Sequence, residues 1–192
     1  MSSTRRMGTE QAKSRALLLD AAEELMRTEG YAAVTSRRLA AHAGLKPQLV
    51  HYYFRTMDDL FVELFHRGSS SYLERQRALL TAEDPLKALW EISYDQDKGA
   101  LIVEFMALAN HRKDLSAAIK EYGDEMRKLQ TKILTRILKE RGVDTKRWPP
   151  TALAFVLECV ARSLVMESNL GQEGGHKEVR ALVARFVDQL AE

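Results

Sequence analysis

From Gly30 through Met57 the chain carries no Asp or Glu, although 29% of its 192 residues are charged. The same window holds Arg37, Arg38, Lys46 and Arg55, and interleaves them with Gln48, His51, Tyr52 and Tyr53. These side chains offer hydrogen-bond donors with no carboxylate to repel an anion, the chemistry of a surface that meets a polyanion. Gln and Arg can each make two bonds to a base edge, whereas Ser, Lys and Tyr reach phosphate oxygens. On the residues alone a second reading stays open: an αα-hairpin whose outer face is simply solvated.

Other chemistries find little support. The chain has no P-loop, dinucleotide-type glycine motif, HExxH or CxxC. His42, His51, His66, His111 and His176 are scattered, none with another His or a Cys three or four residues away, so the spacing predicts no metal site. Nothing favours a nucleophile and base pair, and neither enzymatic activity nor a cofactor is expected. The single cysteine, Cys159, excludes an intramolecular disulfide. Flanked by Phe155, Val156, Leu157 and Val160, it reads as a small buried apolar residue rather than a reactive thiol. The longest apolar helix candidate, Thr151 to Met166, is interrupted by Glu158 and Arg162, so no membrane span is expected. The opening MSSTRRMGTEQ lacks the apolar core of a signal peptide, which makes a cytoplasmic protein the expectation.

The charge is unevenly placed. Residues 1–56 hold nine Lys/Arg against five Asp/Glu, net +4, and the remainder holds twenty against twenty-two, net −2. Only the first part therefore suits nucleic acid. Abundant Ala, Leu, Glu, Lys and Arg, with four prolines and no strand-like alternation, predict an all-α chain. Residues 1–8 read as a disordered basic arm, either a solvated tail or one whose Arg5 and Arg6 reach DNA. A first helix from about Glu10 to Glu29 carries Leu18, Ala21, Ala22, Leu25 and Met26 in one stripe and ends at Gly30. Thr35 caps a second helix, Ser36 to Ala43. Arg38 stands where a capping Glu would, which hints that Arg37 and Arg38 serve something outside the helix. Gly44 breaks it, and Pro47 opens a third helix to Phe54, barely two turns long. Leu39, Ala40, Ala43, Leu45, Val50 and Phe54 are the set that can hold these two helices together.

Ser14 to Leu64 resembles the DNA-binding domain of the tetracycline-repressor (TetR) family of bacterial transcription regulators. The matching pieces are LLLDAAEELMRTEGY, then VTSRRLAAHAGL, then the aromatic run HYYF, then DDLF, in that order and spacing. The resemblance implies a three-helix helix-turn-helix domain over residues 1–56 and a larger helical domain over 57–192 for ligand binding and dimerisation. It places Arg37, Pro47, Gln48, Leu49 and His51 near base edges, and Ser36, Lys46, Tyr52, Tyr53 and Arg55 by phosphates. Lys46 departs from a common capping Ser or Thr, His51 from a common tyrosine, and Met57 from a common phosphate-binding lysine that Arg55 can replace.

Beyond residue 56 the periodicity predicts helices from Met57 to Leu80, from Asp84 through Trp90 and Tyr94, and from Lys98 to Arg112. Three more follow: Leu115 to Arg141, Pro150 to Leu170, and Lys177 to Leu190. In the family the fourth helix carries the ligand signal, and the last two long helices pair with their copies in a second subunit. That implies an interface through Phe155, Cys159, Leu182, Val183, Phe186 and Leu190, the alternative being that these helices pack only within their own subunit. Trp90, Tyr94, Phe105, Met106, His111, Met126 and Phe155 fall on helices that surround the family's cavity; each is either core or lining. Glu158 and Arg162 read as an ion pair or as a polar anchor for a ligand. The expectation is a repressor, released from a pseudopalindromic operator by a small-molecule effector. Rivals are an effector-free or activating regulator of the same build, and a carrier or enzyme whose hairpin is structural.

Overall fold

The computed structural model describes residues 2–82, 84–93 and 96–189, and all regular structure among them is helical. The chain forms two compact units, Met1–Gly68 with Glu104–Ile119, and Ser69–Val103 with Lys120–Glu192.

In the first unit, α1 (Ser2–Glu29) buries the expected stripe, with Leu18, Ala21, Ala22, Leu25 and Met26 each at most 4% exposed. It begins at Ser2, not near Glu10, so the disordered arm expected over residues 1–8 is helical instead. Gly8 is the only poor helix former there, and its cost of about 1 kcal/mol does not interrupt the run. Gly30, at φ 81°, closes the helix through a bond from its N–H to the Met26 carbonyl. A 3-10 turn, Tyr31–Ala33, follows.

Thr35 then starts α2 (Ser36–His42), its hydroxyl accepting from the Arg38 N–H at 3.4 Å. Gly44, at φ 66°, lets the Leu45 N–H reach back to the Ala40 carbonyl at 2.8 Å. Only a residue tolerant of positive φ closes so short a turn. With Pro47 at its first position, α3 (Pro47–Tyr53) ends where Phe54 becomes extended. Leu39, Ala40, Val50 and Phe54 are all at most 2% exposed, so α2 and α3 are pinned from the inside.

Thr56 and Asp59 cap α4 (Met57–Ala78) reciprocally: the Thr56 N–H donates to the Asp59 carboxylate at 3.0 Å, and the Asp59 N–H to the Thr56 hydroxyl at 3.1 Å. Leu60, Phe61, Leu64 and Phe65 are buried, and Arg67 pairs with Asp20 at 2.6 Å and Glu23 at 2.5 Å. These contacts explain why the first unit extends to Gly68, past the division expected at residue 56.

The second unit takes the rest of α4, a 3-10 turn at Leu79–Thr81, and α5 (Pro85–Ser93). Between α5 and the later helices, α6 (Gln96–Ala109) and α7 (Lys113–Glu140) each contribute residues to both units. The chain ends with α8 (Pro150–Asn169) and α9 (His176–Gln189). Leu86, Leu89, Ile133, Leu134, Leu138 and Leu157 form the centre of this unit's core. His176, 2% exposed, closes the α8–α9 turn through Glu167 at 2.9 Å and the Ser168 hydroxyl at 3.4 Å.

Cys159 is exposed, contrary to the expectation that it is buried. The apolar neighbours in sequence occupy two sides of α8. Leu153, Leu157, Ala161 and Leu164 turn inward, while Phe155, Val156 and Met166 share the outer side with Cys159. Phe54→Ala should cost about 3–5 kcal/mol in urea unfolding, whereas Tyr52→Ala, at a residue 64% exposed, should stay within about 0.5 kcal/mol. Equal losses would show that α3 is not anchored through Phe54.

Candidate nucleic-acid interface

With the inner side of the hairpin consumed by packing, the outer side of α3 is left to Lys46, Pro47, Gln48, His51 and Tyr52, all exposed. Leu49 and Tyr53 are half-buried, so each presents an edge while part of it packs. Arg37 and Arg55 are exposed and Ser36 is half-buried at the start of α2. All ten residues predicted to read bases or touch phosphates therefore lie within the first unit, none fully buried.

The two tyrosine rings meet edge to face, with centroids 5.0 Å apart. The Tyr52 hydroxyl accepts a hydrogen bond from Gln11 Nε2 at 3.2 Å, so α1 reaches the edge of this surface. Gln11 carries no local signal in the sequence, because only the crossing of α1 over α3 brings it there.

Arg37 and Arg38 part company. Arg38 binds Glu29 through both carboxylate oxygens, at 2.6 and 2.7 Å. Its hydrogen bonds hold the Glu29 carboxyl below the usual value. Arg38 is thus spent on the end of α1, and Arg37 remains the arginine of α2 that faces out.

The clasp behind this surface was not anticipated from the sequence. Glu104, on α6, accepts from the Tyr31 N–H at 2.9 Å, in the turn that precedes α2. Arg112 pairs with Asp58 in the first turn of α4, and its guanidinium lies 5.1 Å from the centre of the Phe61 ring. Phe105 packs edge-on to Phe65, centroids 5.4 Å apart.

Residues 18–64 match the family model of "Bacterial regulatory proteins, tetR family". These residues are similar to the DNA-binding domain of that family. The match begins in α1 and ends in α4, so it spans the hairpin and both helices that anchor it. Over nearly all of its length the chain shares its fold with solved structures. A TetR transcription regulator from Haloarcula marismortui superposes with a TM-score of 0.77 at 18% identity, covering 93% of this chain and 98% of that one. A putative transcriptional regulator from Saccharomonospora viridis, solved in complex with choline, gives 0.77 at 18% identity, covering 92% and 96%. The reduced form of E. coli NemR gives 0.74 at 18%, covering 90% and 97%. No curated protein matches the sequence. Among the described residues no helix is long and apolar enough to cross a membrane.

The described residues expected around a ligand cavity fall in both units. Phe105 belongs to the first unit, spent on Phe65, and Met106 and His111 are exposed there. Trp90 and Met126 are buried in the second unit. Phe155 is 56% exposed, with the Arg127 guanidinium 5.0 Å from its ring centre. Tyr94 lies outside the described residues. Of the expected interface, Phe155, Cys159 and Leu182 are exposed. Val183 sits in its own core, and Phe186 is partly covered by Trp148, centroids 5.6 Å apart. Leu190 lies outside the described residues.

Glu104→Leu should cost about 1–3 kcal/mol in urea unfolding, because it strands the Tyr31 N–H. The same change at exposed Glu91 should cost no more than about 0.5 kcal/mol. Indistinguishable losses at the two positions would remove Glu104 from the clasp.

Proposed function

We propose that the chain is a repressor that binds a pseudopalindromic operator as a homodimer and leaves it when a small-molecule effector binds the second unit. The observation that carries this reading is the outer side of α3, polar, aromatic and free of acids, over a hairpin whose inner side is fully used. A solvated hairpin has no need of the exposed Tyr52 or of a 28-residue stretch without a carboxylate.

In this reading Gln48 pairs with adenine through two hydrogen bonds, Arg37 with guanine O6 and N7, and Leu49 touches a thymine methyl. Pro47 and His51 stand beside them at the base edges. Ser36, Lys46, Tyr52, Tyr53 and Arg55 hold phosphates and so set register without reading sequence. Two copies of α3, about 34–36 Å apart, then enter successive major grooves.

The exposed apolar side of α8, with Leu182 of α9 at 59% exposure, supports a second copy of this chain as the partner that covers it. α4 supports the coupling, since its first three turns belong to the unit that holds α3 and the rest to the other. Weakening operator affinity a hundredfold needs about 2.7 kcal/mol of coupling, within the usual range of 1–3. The choline found with a structural neighbour supports a small molecule as the effector.

Binding to the DNA upstream of its own gene, titrated at several salt concentrations, tests the reading. Log K should fall with log salt by about 0.9 per phosphate neutralised. Lys46→Ala and Tyr53→Phe should weaken binding to all sequences alike, the former lowering the salt slope by about 1, whereas Gln48→Ala should relax sequence preference. An exchange of these effects would sink the residue assignments, and absence of binding at low salt the reading itself. For the dimer, Leu182→Asp should yield monomers in sedimentation, and an intact dimer would move the interface elsewhere. Leu182 is the cleaner probe because Phe186 also packs on Trp148 of its own chain.

A further inference from the structure

The second unit buries amides that its own packing does not satisfy. Gln76 is 0% exposed and Gln130 3%, and neither Oε1 has a hydrogen-bond partner among the described residues. A buried polar atom left unbonded costs about 1–3 kcal/mol, which a core would avoid by using Leu or Met. Gln76 is anchored at one end only, its Nε2 donating to the Tyr72 hydroxyl at 3.2 Å. Turned over, the amide would present NH2 in place of oxygen, so its outer end can either accept or donate.

Beside Gln130 lies a cationic donor. Arg127 is three residues before Gln130 on α7, hence its neighbour on the helix surface. One end of its guanidinium binds Glu158 at 2.7 Å, while Nη1 is buried and has no hydrogen-bond partner. Glu158 is also held by Arg162, so the pair expected within α8 is a triad with an arginine from α7. Two arginines, Arg127 and Arg162, against one glutamate leave this triad net positive. The Arg75 guanidinium lies 5.3 Å from the Tyr72 ring centre.

The two tyrosines here remain donors. Burial pushes the hydroxyls of Tyr72 and Tyr122 up, and both feel the charge of Glu158.

We propose that this cluster is a binding site for a small organic anion, its carboxylate seated on Arg127 Nη1 and its other polar atoms on the amides of Gln76 and Gln130. The assignment rests on the reading of the second unit as effector-binding and names the class of effector. A cation such as choline is disfavoured, because it would add charge to a lining that is already positive.

The test uses the full chain and its melting temperature with four carboxylates, benzoate, salicylate, lactate and citrate, against benzamide, salicylamide, lactamide and choline. At least one carboxylate should raise the melting temperature saturably, and its amide and choline should not. Arg127→Gln, which leaves Glu158 held by Arg162, should weaken that carboxylate at least about tenfold, the loss of one charged hydrogen bond. Gln130→Leu should weaken it too, yet raise the melting temperature of the free protein by about 2–4 °C, since it removes an unbonded buried atom. No shift with any carboxylate, a shift that persists in Arg127→Gln, or a Gln130→Leu protein less stable than the parent would each overturn the site. Operator release separates the two readings. A carboxylate that binds through Arg127 without releasing DNA keeps the anion site and removes the effector role. Release by an amide or by choline, with no carboxylate binding, keeps the effector role and removes the anion.

Discussion

The first unit depends on one constraint: α3 is seven residues long and must be held from behind. A helix that short has no stability of its own in water. Val50 and Phe54 supply the attachment by going under, each burial worth about 1.5–3 kcal/mol, and Gly44 permits the approach by turning the chain within a few residues. The same burial decides what the outer side can be. Every apolar residue of α3 that packs leaves a polar neighbour facing out, so anchoring and presentation are two consequences of one helical period.

The hairpin is braced at both ends by charge and hydrogen bonding rather than by more apolar surface. Glu29 takes Arg38, Asp59 caps the start of α4, and Glu104 secures the turn before α2. None of these carboxylates lies between Gly30 and Met57. The acids that stabilise the hairpin come from outside this window, which leaves the outer side of α3 free of negative charge. Glu104 itself sits on α6, a helix whose earlier residues belong to the second unit.

In the second unit the balance is reversed. Its centre is a conventional Leu and Ile core, but around Gln76, Gln130 and Arg127 it keeps polar atoms that cost stability. Natural sequences tolerate such a cost where binding requires it. The outer side of α8 is a second departure, with Phe155, Val156 and Met166 left exposed on the same helix that buries Leu153 and Leu157. α8 is thus apolar on two sides, the one packed in the core and the other exposed.

What the sequence determined by itself was local. The helix stripe of α1, the Thr35 cap, the Gly44 turn, the Pro47 start and the split of α3 into an inner and an outer side all follow from propensity and a 3.6-residue period. They were legible because each is decided by residues within a few positions of one another. Tertiary structure decided what depends on partners far away in the chain. It spent Arg38 on Glu29 while leaving Arg37 exposed, turned Cys159 outward, put Phe105 against Phe65, and brought Arg127 to Glu158 across two helices. An apolar run such as that around Cys159 does not say which of its sides faces the core, and a carboxylate does not say which arginine it will meet. Those outcomes are set by helix crossings, which no window of sequence contains.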